Sequence, residues 1–192
     1  MGGHGTTLGG IIVDSGNFPW ERYAERFPMF SSPDLSYHGL VYIKHFGAAA
    51  HIARCRSVYL RTMGSVLSPL SAFLLLQGIE TVAARVERHV ENGQRVAEFL
   101  RGHPGVEWVN YTGFSDNSYH ALAQKYLSGR ACSLLTFGVR GGFDAAARFY
   151  HALRLVKSLV NLGDAKSLAC HTASTTHRQM SLKEQYNFGV TP

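Results

Sequence analysis

The sequence predicts an α/β chain in which the end of a large domain is joined by a long helix to a small α+β domain. A β-branched run between glycines stands near the start. An apolar stripe at three- and four-residue spacing fills the middle, and strand-like and helix-like patterns alternate over residues 104–192.

The elements follow in chain order. "GGIIVDSG" reads as a buried strand from Gly10 to Asp14, because branched side chains favour extended backbone and glycines bound the run. "NFPWERYAERFPMFSSPDLSYHGLVY" carries Pro19, Pro28 and Pro33, which rule out one continuous helix. Its aromatics are costly to leave wet, so it is expected as an ordered excursion of short helical turns, seated on a partner surface or filling a local core. A helix is expected from Ser68 to His103, with Ser68 as cap and Pro69 at the first helical position. Within it Ile79, Val82, Val86, Val90, Gly93, Ala97 and Leu100 form one stripe, while Glu80, Arg85, Glu87, Arg88 and Glu91 mostly fill the other faces. Such a helix is on the order of 50 Å long, too long for one small core, and "GHPG" ends it. Beyond it "VEWVNY", "ACSLLTFGV" and "SLACH" read as strands. "FDAAARFYHALRLV" reads as an amphipathic helix capped by Asp144, and "SLKEQYNFG" offers Ser181 and Glu184 as a capping box with Gly189 as the stop.

Composition narrows the function. With 45% hydrophobic and 17% charged residues in a chain of 192, a packed core is expected. The net charge of +6 is spread among interleaved acids, so no concentrated basic face points to nucleic acid. No apolar run is long enough to span a bilayer, and the N-terminus lacks a basic-then-apolar leader. Cys55, Cys132 and Cys170 are odd in number and widely spaced, which suits a reducing compartment. A soluble, cytoplasmic protein is expected.

The motifs alone are weak. "GGHGTTLGG" lacks the Gly-Lys-Ser/Thr ending of a phosphate loop and misses the dinucleotide spacing, so a tight turn feeding a strand competes with an anion-binding nest. Cys170, His171 and His177 in "CHTASTTH" have no second pair at finger-like spacing, and no metal is expected. "NLGDAKSL" places Asn161, Gly163, Asp164 and Lys166 in a polar loop between a helix and a strand, a common place for substrate contacts and equally a place for ordinary turn chemistry.

Taken together, four segments resemble the sulfhydrylases acting on O-acetylhomoserine, within the pyridoxal-phosphate (PLP) enzymes of cysteine and methionine metabolism. They are "GGHGTTLGGIIVDSGNFPW", "LSPLSAFLLLQGIET", "ERHVENGQRVAEFLRGHPGVEWVNY" and "SLVNLGDAKSLACHTASTTHRQMS", and the likeness runs along essentially the whole chain. It departs mildly at "RTMG", "SPLS" and "CHTAS".

The resemblance implies part of a fold-type-I PLP enzyme. Residues 1–67 would be the end of the large cofactor domain, 68–103 the connecting helix and 104–192 the small C-terminal domain. It implies replacement of acetate on the γ-carbon of O-acetylhomoserine by sulfide or a thiol, with an amino-acid substrate and homo-oligomeric assembly or association with a complementary chain. In the family the cofactor lysine precedes the glycine run, so it is expected before Met1; Lys44, Lys125, Lys157, Lys166 and Lys183 lack its motif. Gly3, His4 and Gly5 are expected as the turn beside the cofactor. Asn161 first and Ser158 second are expected to contact the substrate carboxylate. The competing expectation is an inactive remnant that associates with intact homologues.

Overall fold

The computed structural model describes residues 1–190; Thr191 and Pro192, the end of the segment expected as the small domain, lie outside the described residues. The chain divides into two compact units, one formed by Leu8–Phe73 and the other by Met1–Thr7 with Leu74–Pro192.

In the unit Leu8–Phe73, the strand expected at Gly10–Asp14 does not form. A strand needs a neighbour for its amides and carbonyls. None lies beside this run among the described residues, and Ile11, Ile12 and Val13 stand 75%, 61% and 83% exposed. The aromatic segment does form short turns: a 3-10 turn at Trp20–Tyr23, α1 (Pro28–Ser31) with Pro28 in its first turn, and a second 3-10 turn at Leu35–Tyr37. After it come α2 (Tyr42–Phe46), α3 (Ala50–Arg54), a π-helical stretch at Cys55–Leu60 and α4 (Arg61–Met63), a succession the sequence pattern did not signal. Phe30, Tyr42 and Ala50 are the core, with Trp20 and Phe27 packed on it. Of the two uses foreseen for the rings, these fill a local core; the Trp20 and Phe30 centroids are 4.3 Å apart. Arg54 lies over Phe30 and Tyr42 and bonds Asp34 at 2.8 Å.

Between residues 68 and 103 two helices run where one was expected, α5 (Pro69–Glu80) and α6 (Val82–Arg101). Thr81 interrupts them with φ −107° and ψ 5°. Ser68 Oγ accepts the Ser71 amide at 3.1 Å, which caps α5 as expected. The stripe on α6 is buried only in its second half, at Gly93, Ala97 and Leu100, while Val86 is 45% exposed. Gly93 allows a close approach, since a Cβ there would lie 3.1 Å from the Ser133 Cα.

The strand β1 (Val106–Asn110) pairs antiparallel with β2 (Thr136–Val139), with α7 (His120–Tyr126) between them in the chain. The strand expected over residues 131–139 is thus confined to its last four. Ala97, Tyr111, Phe114 and Ala131 form the core beneath. The helix α8 (Gly142–Ala152) is preceded by Gly141 at φ +98°, so the cap is Gly141; Asp144 sits inside the first turn, where its charge still suits the helix dipole. Two short strands, β3 (Lys157–Ser158) and β4 (Leu168–Ala169), pair in parallel and close the loop 159–167 between them. The last helix, α9 (Leu182–Asn187), carries the expected capping box, and Gly189 follows at φ +73°.

Candidate functional site

The glycine run at the N-terminus and the loop 161–166 meet. Ala165 N–H donates to the Gly3 carbonyl at 2.7 Å. Gly3 and Gly5 adopt φ +78° and +65°, the left-handed region that glycine enters without strain. A Cβ on Gly5 would touch the Asp164 carboxylate at 3.5 Å and the Asn161 amide at 3.6 Å. His4 between them is exposed.

Asp164 organises the loop. It is 4% exposed and accepts the Lys166 amide at 2.9 Å, the Asn161 amide nitrogen at 3.0 Å and the Lys166 ammonium at 3.3 Å. The Lys166 backbone N–H, then the Asn161 side chain, hold its carboxyl below the usual aspartate range against the opposing effect of burial. Asn161 also accepts the Leu162 amide at 3.0 Å. One of its two amide hydrogens goes to Asp164, and the residue is otherwise exposed.

Ser158 is placed elsewhere. On exposed β3 it lines an open cleft of about 500 Å³ with Tyr150, Cys170, Thr175, Thr176 and Arg178. A smaller hollow of about 190 Å³ by Arg101, Trp108 and Asp116 is bordered by an exposed ion pair and lies apart from these residues. Cys170, His171 and His177 do not converge: their side chains bond Thr175, Ser174 and Thr176 respectively. Among the described residues no group of three or more His, Cys, Asp or Glu could hold a metal ion. Burial and then the neighbouring His151 push His171 below the usual histidine range, and its ring packs 5.1 Å from Phe143.

Two residues not among the candidates complete the seat of the glycine turn. Gly78 of α5 is buried, and a Cβ on it would collide with the backbone of Gly2, coming 2.6 Å from its Cα. Arg85, expected on a solvent face of the helix, is half-buried and reaches Gly78, Thr81 and Met1 with its guanidinium. The signal available in the sequence was Gly78 itself, since a glycine inside a helix marks a close backbone approach.

An aldehyde cofactor needs a desolvated lysine to hold it covalently. Lys44, Lys125, Lys157, Lys166 and Lys183 are all exposed, and Lys166 is ion-paired to Asp164. These lysines do not fit that role. The backbone of the glycine turn is held closely by α5, α6 and the loop 161–166.

The family model described as Cys/Met metabolism PLP-dependent enzyme matches residues 1–192. The chain belongs to the Cys/Met metabolism PLP-dependent enzyme family. It is 46% identical over 191 residues to the homocysteine synthase of Schizosaccharomyces pombe, an alignment covering 100% of this chain and 44% of that protein. It is also 46% identical over 192 residues to O-acetyl-L-homoserine sulfhydrylase 1 of Thermus thermophilus, covering 100% of this chain and 45% of the relative. A crystal structure described as an O-acetylhomoserine (thiol)-lyase from Campylobacter jejuni, which carries N'-pyridoxyl-lysine-5'-monophosphate, superposes with a TM-score of 0.80 at 41% identity. That match covers 87% of this chain and 39% of the other, so this family member shares the α/β fold of a PLP-dependent enzyme. The chain spans less than half the length of these relatives.

Proposed function

We propose that this chain is part of a PLP-dependent transferase of the O-acetylhomoserine sulfhydrylase kind, which replaces the acetate on the γ-carbon of O-acetylhomoserine by sulfide or a thiol to give homocysteine or methionine. The observation that carries the reading is the 46% identity, sustained over the whole chain, to relatives named homocysteine synthase and O-acetyl-L-homoserine sulfhydrylase. The contact between the glycine turn and the loop 161–166 supports it, because it sets a polar loop beside the segment that the resemblance links to the cofactor. In this reading PLP, when bound, supplies the electron sink for elimination and replacement.

The roles of this chain's own residues are binding and orientation. Asn161 holds the substrate carboxylate with the amide hydrogen that Asp164 leaves unused, and Ser158, which lines a separate cleft, is the second candidate contact. Gly3, His4 and Gly5 would help to hold the cofactor-bearing segment in place. Homo-oligomeric assembly, or association with a complementary chain, is supported by exposed Leu8, Ile11, Ile12 and Val13. The free state of Cys55, Cys132 and Cys170 supports a cytoplasmic setting.

The test is acetate release from O-acetylhomoserine in the presence of sulfide and PLP, followed with homocysteine formation. Sulfide-dependent release, when the chain is joined to the segment or complementary chain that carries the cofactor lysine, is the expected result, with borohydride fixing the pyridoxyl group on that lysine and on none of Lys44, Lys125, Lys157, Lys166 and Lys183. Loss of both would sink the enzyme reading and favour the inactive remnant. Asn161→Ala should raise KM for the amino acid about tenfold, the cost of losing one hydrogen bond to a charged group.

A further inference from the structure

Arg85 is tied to more than its own helix. Its Nη1 donates to the Gly78 carbonyl at 2.8 Å and to the Thr81 hydroxyl, both at the junction of α5 and α6. Its Nη2 donates to the Met1 carbonyl at 2.8 Å, across 84 residues of sequence. Gly3 packs so closely on this guanidinium that a Cβ would lie 2.6 Å from Cζ, and the Nε is buried without a hydrogen-bond partner among the described residues. A planar fork with several donors can bridge acceptors on two segments, whereas an ammonium is a point charge on a flexible stem.

The contacts continue outward from the turn. Gly2 lies against Gly78, and the Gly3 carbonyl takes the Ala165 amide at 2.7 Å. Displacing the turn would therefore move the backbone to which the Asn161–Asp164 loop is bonded. The helix break, the glycine turn and the polar loop form one connected seat, with the guanidinium at its centre.

We propose that Arg85 is a positioning residue: it sets the glycine turn and, through the turn, the alignment of the Asn161 loop with the cofactor-bearing segment that the family places before that turn. This rests on the function proposed above. A merely structural Arg85 would lower stability without changing the cofactor's environment. A positioning Arg85 changes that environment and substrate affinity even where folding is intact.

The experiment uses this chain together with the segment or complementary chain that carries the cofactor lysine, loaded with PLP, and the variants Arg85→Lys, Thr81→Val and Gly3→Ala. The unmodified protein is measured first; if it neither binds PLP nor releases acetate, the function reading fails, and Arg85 is then judged by hydrogen exchange alone. Exchange of residues 1–7 should quicken in Arg85→Lys by about tenfold, whatever the reaction. In the active protein Arg85→Lys should release PLP faster, displace the pH titration of the cofactor's visible absorbance and raise KM for the amino acid, each rate or KM by at least about tenfold, since small misplacements are costly to a reacting geometry. Thr81→Val, which removes one of the acceptors, should show a smaller effect, and Gly3→Ala should reproduce Arg85→Lys. If Arg85→Lys does not fold, Gly3→Ala and Thr81→Val decide by the same readouts. Unchanged exchange of residues 1–7, or an unchanged absorbance titration with PLP release and KM within about twofold of the parent in these variants, overturns the proposal.

Discussion

Asp164 shows how a single buried charge is tolerated. Its oxygens face two amide donors and an ammonium, so removing the carboxylate takes away their shared acceptor. Asp164→Ala should cost about 0.5–1.5 kcal/mol, the usual net worth of a hydrogen bond, since Asn161 and Lys166 are exposed and water can take up their donors, and urea unfolding measures it. The folded carboxyl titrates below the ordinary aspartate value of 3.8, so the folded state binds fewer protons than the unfolded one in that range. Its contribution is complete above 3.8 and is lost as the pH falls through the folded value. Acid titration of the melting temperature should therefore lose part of its steepness below 3.8 in Asp164→Ala; an identical acid slope would contradict the assignment. Gly78 makes the opposite case, of a residue chosen for what it lacks. Alanine gains up to about 1 kcal/mol in a helix interior, but here its Cβ would meet the backbone of Gly2. Overpacking against a chain that must shift costs about 1–3 kcal/mol, so Gly78→Ala should lower the melting temperature.

Elements that depend on local chemistry were legible in the sequence, and those that depend on a neighbour were not. Ser181 and Glu184 state their own partnership: the Glu184 carboxylate accepts the Ser181 amide at 2.8 Å, and the Ser181 hydroxyl accepts the Glu184 amide at 3.4 Å. Ser181→Ala should cost about 1 kcal/mol and fray α9, read out as faster exchange at Glu184 and Gln185. The run 10–14 has the composition of a strand and no strand beside it among the described residues, because a ladder is a property of two segments. The helix expected over residues 68–103 carries a continuous pattern, yet breaks at Thr81, where the Arg85 guanidinium takes the Gly78 carbonyl and the Thr81 hydroxyl. Asp144 was read as a cap from its type alone, whereas Gly141 takes that place through a left-handed conformation that periodicity does not report.

Across the whole molecule, apolar burial is uneven, and that is measurable. Leu8 and Val13 are 92% and 83% exposed, while Ala97 and Tyr111 are 0% and 1% exposed. Hydrogen exchange should be fast over residues 8–13 and slow over 93–111, and uniform protection would contradict this distribution. Four collinear segments of sequence were enough to reach the family, because long stretches of matching side chains rarely arise by chance. They also named the loop of Asn161 and the turn of Gly3, His4 and Gly5 as places of interest. Composition, the caps at Ser68 and Ser181 and family membership were thus determined by the sequence alone, since each is carried by neighbours in the chain or by the string itself. Only the tertiary structure joined Met1 to Arg85 and Gly3 to Ala165, because hydrogen bonds between segments so far apart leave no periodicity for a reader of the sequence to find.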